Sequence, residues 1–235
     1  MALVAGVDGC RAGWICVLRD EAAGPIEAKV LPTAADLFSQ APTPHVIAID
    51  VPIGLPDAGR RECDGLARQM LGWPRRNSVF PAPVRAALTA RTREEASKIT
   101  SGIDGRRVGI QAWSIYAKIR EVDDRLRGEP SLRQRVREVH PEVCFCAWNG
   151  FQAMRVSKKR RAGREERLSL VRGHFGPEAY EQARSGFRRK DVANDDILDA
   201  FAALWTAERI LGGQAESLPN RPQTDSEGLR MEIVY

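Results

Sequence analysis

The chain has 235 residues, 43% of them hydrophobic and 29% charged, and its 36 Lys and Arg against 31 Asp and Glu leave a formal charge of +5. That apolar fraction excludes a disordered chain, and the length suits one large domain or one domain with an inserted subdomain. No apolar run approaches the roughly 18 residues of a membrane span. Met1-Ala2-Leu3 leads straight into a strand-like pattern without a basic start, so no secretory leader is expected. Five Cys without a C-x-x-C pair suit neither a zinc ribbon nor a disulfide framework, and His45, His140 and His174 are too scattered to make a zinc site. A reduced, cytoplasmic protein is expected.

Leu3 to Asp8 is a short apolar run, Gly9 to Gly13 supplies turn chemistry, and Trp14 to Leu18 is β-rich, which predicts a hairpin. Ile26 to Leu31 reads as a third strand, and Pro32-Thr33 starts a helix over Ala34 to Gln40. His45 to Asp50 is near-continuously apolar, as a strand covered on both faces must be. The opening is therefore β-β-β-α-β. From Pro52 to about Gly128, prolines at 52, 56, 74, 81 and 83 punctuate short helices, among them Arg61 to Leu71 and Ile110 to Arg127. Val136 to Trp148 reads as a strand that Pro141 ends or bends, with Cys144 and Cys146 sharing one buried face. Val192 to Leu211 is the clearest helix, with Ile197, Phe201, Leu204 and Leu211 at helical spacing and Gly212-Gly213 as its stop. Leu229 to Tyr235 reads as a short closing strand.

Acids fall where an α/β fold keeps its chemistry, at the carboxyl ends of strands and on a helix facing them. Asp8 ends the first strand and Asp50 the fourth; Asp195, Asp196 and Asp199 begin the last helix; Glu142, with Glu138 before it, is a weaker candidate. Carboxylates converging from separate elements raise one another's pKa unless a cation neutralises them, and such hard oxygen donors suit Mg²⁺ or Mn²⁺. Turn chemistry accounts for a lone Asp-Gly, and helix capping, with Asn194 as N-cap, accounts for Asp195 and Asp196. Neither accounts for Asp199, a turn further in between Leu198 and Ala200, nor for an acid ending a buried strand at Asp50. Which of the three helix acids binds a metal is left open.

The stretch G-V-D-G-C-R-A-G-W from Gly6 resembles the first hairpin of the RNase H-like superfamily, and D-I-L-D-A-F-A from Asp196 is similar to the last-helix pattern of RuvC-type Holliday-junction resolvases. Together with I-D-V-P-I-G-L, S-V-F-P-A-P, H-P-E-V-C-F and N-D-D-I-L-D-A, these resemble a bacterial and archaeal family of unknown function, described as predicted RNase H-like nucleases. The resemblance runs from about Val4 to Leu211. It implies an α/β fold with a mixed five-stranded sheet in the order 3-2-1-4-5, flanked by helices. The proline-punctuated stretch has no counterpart in simple RNase H domains and reads as a mainly helical insertion at about 52–128 within one domain over residues 1–235. It also implies a two-metal site in which Asp8 bridges the ions, Asp50 holds one and Asp196 or Asp199 the other. RuvC-type nucleases usually carry Glu where this chain has Asp50, an arm one methylene shorter.

The run from Arg155 to Arg172 is rich in Lys and Arg, and a basic run beside an acidic metal site is what a phosphate backbone needs. Arg11, Arg61, Lys158, Lys159 and Arg164 are the candidate substrate contacts. Arg60, Arg61, Asp64, Arg68, Arg75 and Arg76 before Ser78-Val79-Phe80-Pro81 read equally as a cleft mouth that binds a phosphorylated substrate and as salt-bridged surface helices. Trp113 is read as core in preference to a stacking surface. The expected activity is metal-dependent hydrolysis of DNA or RNA phosphodiesters. A phosphotransferase or ATPase of the same topology is the alternative, though the chain has no P-loop. A non-catalytic nucleic-acid or nucleotide binder is the third reading.

Overall fold

The computed structural model describes residues 2–20 and 24–235; Met1, where the leader reading begins, lies outside them. Strands β1 (Leu3–Cys10), β2 (Gly13–Asp20) and β3 (Glu27–Leu31) form an antiparallel meander. The turn between the first two is tighter than Gly9 to Gly13 suggests, because only Arg11 and Ala12 lie outside the strands. Gly13 closes it at φ 133°, where a Cβ would stand 2.3 Å from the Leu31 carbonyl oxygen. Helix α1 (Ala34–Ser39) is capped by Thr33, whose hydroxyl accepts from the Asp36 N–H while the Asp36 carboxylate accepts from the Thr33 N–H.

Strand β4 (Val46–Ile49) is buried throughout and runs parallel to β1. Strand β5 (Val136–Glu138) continues parallel beyond it, so the sheet order is β3-β2-β1-β4-β5. This is the mixed five-stranded α/β sheet expected. Between β4 and β5 lie α2 (Glu62–Leu71), 3₁₀ turns at Arg75–Ser78 and Arg85–Thr89, α3 (Arg93–Asp104), α4 (Ile110–Ser114), α5 (Tyr116–Gly128) and α6 (Leu132–Arg135). The single helix expected over Ile110 to Arg127 is broken at Ile115.

Val136 to Trp148 is a strand for three residues only. Pro141 then opens helix α7 (Pro141–Trp148) at a position where its missing N–H has no intrahelical role. Cys144 and Cys146 therefore do not alternate on one strand face. Cys144 packs into the core under the last helix and Cys146 into a smaller cluster with Cys63 and Tyr235. All five Cys are free and buried. Helices α8 (Arg161–Phe175), α9 (Ala179–Ser185) and α10 (Asn194–Leu211) follow, and β6 (Ser217–Thr224) pairs with β7 (Arg230–Val234) as a separate antiparallel ribbon. The closing strand was legible; its partner, with two prolines, was not.

Alternation along the strands decides what meets what. Ala5, Val7, Ile47 and Ile49 face one core shared with α1 and α5, while Val4, Val46 and Ala48 face the other core under α10. Gly6, paired with Ala48, lies on the α10 side, and a Cβ there would stand 2.1 Å from the Leu204 nitrogen and 2.2 Å from the Ala200 oxygen. Without a side chain at residue 6, α10 rests directly on β1. By the same period of two, Asp8 and Asp50 are the next α10-facing positions after Gly6 and Ala48.

Candidate active site

Asp8 is the α10-facing residue near the carboxyl end of β1, and its carboxylate accepts a hydrogen bond from the Gly9 N–H at 2.7 Å. Asp50 follows β4, and its own N–H donates to the Val7 carbonyl at 2.9 Å, which sets it beside β1. On α10, Asp196 and Asp199 lie about one turn before Ala200 and Leu204, the residues that close on Gly6, so the same close approach carries both acids to the Asp8 end of the sheet.

Asp199 is buried. Its Oδ2 accepts from the Lys158 ammonium, and its Oδ1 is buried with no hydrogen-bond partner among the described residues. Removal from water pushes the Asp50 carboxyl up to about 8, with the neighbouring Asp199 adding to it. Burial likewise pushes Asp199 up to about 6, against the pull of Lys158. Asp8 is raised well above the ordinary range by burial first, then by Asp50 and Asp199. Lys158 is raised, because the attraction of Asp199 and Asp8 outweighs its own desolvation. Asp8, Asp50, Asp199 and Lys158 thus form one electrostatic unit. Among the described residues no three His, Cys, Asp or Glu side chains gather closely enough to hold a metal ion between them.

The other predicted acids stand differently. Asp196 does cap its helix, but Ala193, not Asn194, is the N-cap residue, and the Asp196 carboxylate accepts from its N–H at 2.8 Å. Asp196 also adds to the field on Asp8, its own carboxyl raised by burial. Glu142, expected as a metal ligand, is taken up by the fully buried Arg167, whose Nη2 reaches its two oxygens at 2.6 and 2.7 Å. Glu138 accepts from both terminal nitrogens of Arg61 at 2.7 Å and from the Ile53 N–H at 2.6 Å, and burial pushes it up to about 7.

Among the basic candidates, Arg61 lines the cleft with its guanidinium buried and bonded to Glu138, Asp64 and the Ile53 carbonyl. Lys158 lies within the acid cluster. Lys159 is exposed on the wall of the same cleft. Arg164 points back to the Lys159 carbonyl at 3.4 Å, and Arg11 is exposed on the β1–β2 turn. Neither of these two lines the cleft, which has a volume of about 580 Å³. Trp113 is partly buried beside Tyr116, as expected for core.

Sequence reasoning missed Lys118, on the cleft wall from α5. Its ammonium donates to the Gly13 carbonyl at 2.6 Å and lies 4.2 Å from the Trp14 ring centroid, and burial lowers its pKa. Nothing in the pattern of α5 marks this lysine; only the packing of the insertion against the hairpin brings it in.

A family model described as a protein of unknown function, DUF429, matches residues 6–224. The chain belongs to the DUF429 family. The DUF429 match takes in every acid and lysine of the site described above. No curated protein and no solved structure matches the chain.

Proposed function

We propose that this DUF429 protein hydrolyses phosphodiester bonds of DNA or RNA with Mg²⁺ or Mn²⁺ as cofactor, as the RNase H-like resemblance implies. One arrangement carries the reading: Asp8 and Asp50, at the carboxyl ends of adjacent parallel strands, and Asp199, on α10, raise one another's proton affinity, and Asp199 keeps a buried oxygen without a partner among the described residues. The donor set suits a hard divalent cation by its chemistry. Three carboxylates against the Lys158 ammonium leave two negative charges, which one such ion balances. A second ion, as the two-metal pattern implies, requires Lys158 to leave Asp199.

Asp8 and Asp50 would hold the ion on the cleft side; Asp199, not gathered closely enough with them in this structure for a shared ion, would join them on release from Lys158. When bound, the ion supplies Lewis acidity at phosphorus and a water acidic enough to attack near neutral pH. Lys158, within reach of both carboxylate and cleft, holds positive charge where the phosphoryl oxygens gain negative charge. Asp196, tied to the Ala193 N–H, fixes the first turn of α10 and so the position of Asp199.

The Lys158–Asp199 pair favours one second reading, a nucleic-acid binder without turnover in which the lysine has replaced the cation for good. Cleavage of labelled single-stranded, hybrid and branched nucleic acids with Mg²⁺ or Mn²⁺ separates the two. Hydrolysis is expected from the wild type and a loss of about a thousandfold from Asp8→Asn. Equal activity in the mutant overturns the site, and binding without cleavage of any substrate leaves the second reading.

A further inference from the structure

Beyond the acids, the cleft is lined by Arg75 and Ser78 of the 3₁₀ turn, Phe80, His140 and Lys159. Arg75 differs from Arg61, Arg85, Arg106, Arg137 and Arg167, each tied to a carboxylate: the half-buried Arg75 guanidinium makes no ion pair or hydrogen bond among the described residues, and its Nε, like those of Arg61, Arg85 and Arg167, is buried without a partner. His140 lies 3.3 Å through Nε2 from the Ser78 carbonyl, so that nitrogen donates, and burial lowers its pKa and keeps the ring neutral. The other nitrogen, Nδ1, is then a buried acceptor with no donor among the described residues.

Phe80 is 43% exposed. Its display is not slack. Arg68 grips the preceding Val79 carbonyl at 2.7 and 2.9 Å, and the Ala82 N–H donates to the buried Asp64 at 3.1 Å. An aromatic face held towards a cleft by anchored backbone on both sides, beside an unpaired guanidinium, an exposed lysine and a neutral acceptor, matches what a nucleotide offers: a π-face, a phosphate and donor groups on base or sugar.

We infer that the Arg75–Phe80–His140 part of the cleft binds one nucleotide of a single-stranded nucleic acid, base against Phe80 and phosphate on Arg75 and Lys159, next to the phosphodiester presented to Asp8 and Asp50. The inference rests on the hydrolytic reading for the part of the cleft that holds the acids. The volume of about 580 Å³ falls within the roughly 300–1,000 Å³ that encloses a small organic ligand. The strand ends form one wall, the insertion a second and the loop carrying Lys158 and Lys159 a third. A duplex carries its phosphates on a convex outer surface and stacks its bases away from protein, so it offers such a cleft neither a free base nor a narrow strand. The branched duplexes cut by RuvC-type resolvases are, on this account, poor ligands.

Fluorescence anisotropy of labelled short single strands of DNA and of RNA, and of the blunt duplex of the same sequence, tests this with the wild-type chain in chelator, where nothing is cleaved. Single strands are expected to bind more tightly than duplex, the tighter of the two naming the sugar. Phe80→Ala and Arg75→Gln are each expected to weaken single-strand binding by about tenfold, and Phe80→Trp to restore it; thermal midpoints report whether each variant is folded. Duplex binding as tight as single-strand binding, or unchanged affinity in a folded Phe80→Ala chain, overturns the inference even where cleavage activity stands. Single-strand binding lost on Phe80→Ala in a protein that cleaves nothing sinks the hydrolytic reading and leaves this one.

Discussion

Burial at the end of a strand, with the Asp199 carboxylate adding to it, pushes Asp50 up to about 8, where an unfolded aspartate titrates near 3.9. Between those values the folded state binds the proton more readily than the unfolded chain, so without metal its contribution is fully stabilising at low pH and is lost as pH rises through about 8. Denaturant melts in chelator should therefore weaken from pH 6 to pH 9, and Asp50→Asn should flatten that slope and add about 1–2 kcal/mol at the alkaline end. An unaltered slope in the mutant would contradict the coupling. Glu142 belongs to a different kind of group. Arg167→Met should cost about 3–5 kcal/mol, because it leaves a buried carboxylate uncompensated, and Glu142→Gln in the same chain should recover much of that loss in denaturant titrations. Recovery marks the pair as structural; a Glu142→Gln chain that loses Mn²⁺ affinity instead would return Glu142 to the metal set.

At the scale of the element, α10 and β1 position the site through a contact that no side chain makes. Gly6→Ala would place a methyl against the Ala200 and Leu204 backbone, which cannot retreat as a flexible side chain would. A loss of at least about 1–3 kcal/mol is expected, with cleavage falling further because Asp199 moves with the helix. Gly65→Ala in α2 is the control: nothing lies within 4 Å of its added Cβ, and a gain of about 0.5–1 kcal/mol is expected. Equal effects at the two glycines would remove close packing as the device that positions the acids. Periodicity made β1, β4 and α10 legible, together with Asp8, Asp50 and Asp199, because an acid that interrupts a buried pattern stands out in one dimension. Pro141 misled, since in one dimension a proline that begins a helix looks like one that ends a strand. The ion pairs Arg167–Glu142 and Arg61–Glu138 join residues 25 and 77 apart, and no local pattern announces them.

For the molecule as a whole, the net charge of +5 conceals a separation of charge across one cleft. Acids cluster at the strand ends, Arg75 and Lys159 line the same cleft, and the insertion between β4 and β5 supplies much of its wall. Two arginines read from sequence as phosphate contacts, Arg61 and Arg167, are buried in ion pairs with Glu138 and Glu142. Two lysines line the cleft near the acids, Lys158 paired with Asp199 and Lys118 bonded to the Gly13 carbonyl. Calorimetric titration of the chelator-treated chain with Mn²⁺ at pH 8 tests the central claim, that Asp8, Asp50 and Asp199 form a divalent-cation site. Saturable binding that is lost in Asp8→Asn and in Asp50→Asn is predicted; no binding, or binding that both variants retain, contradicts it.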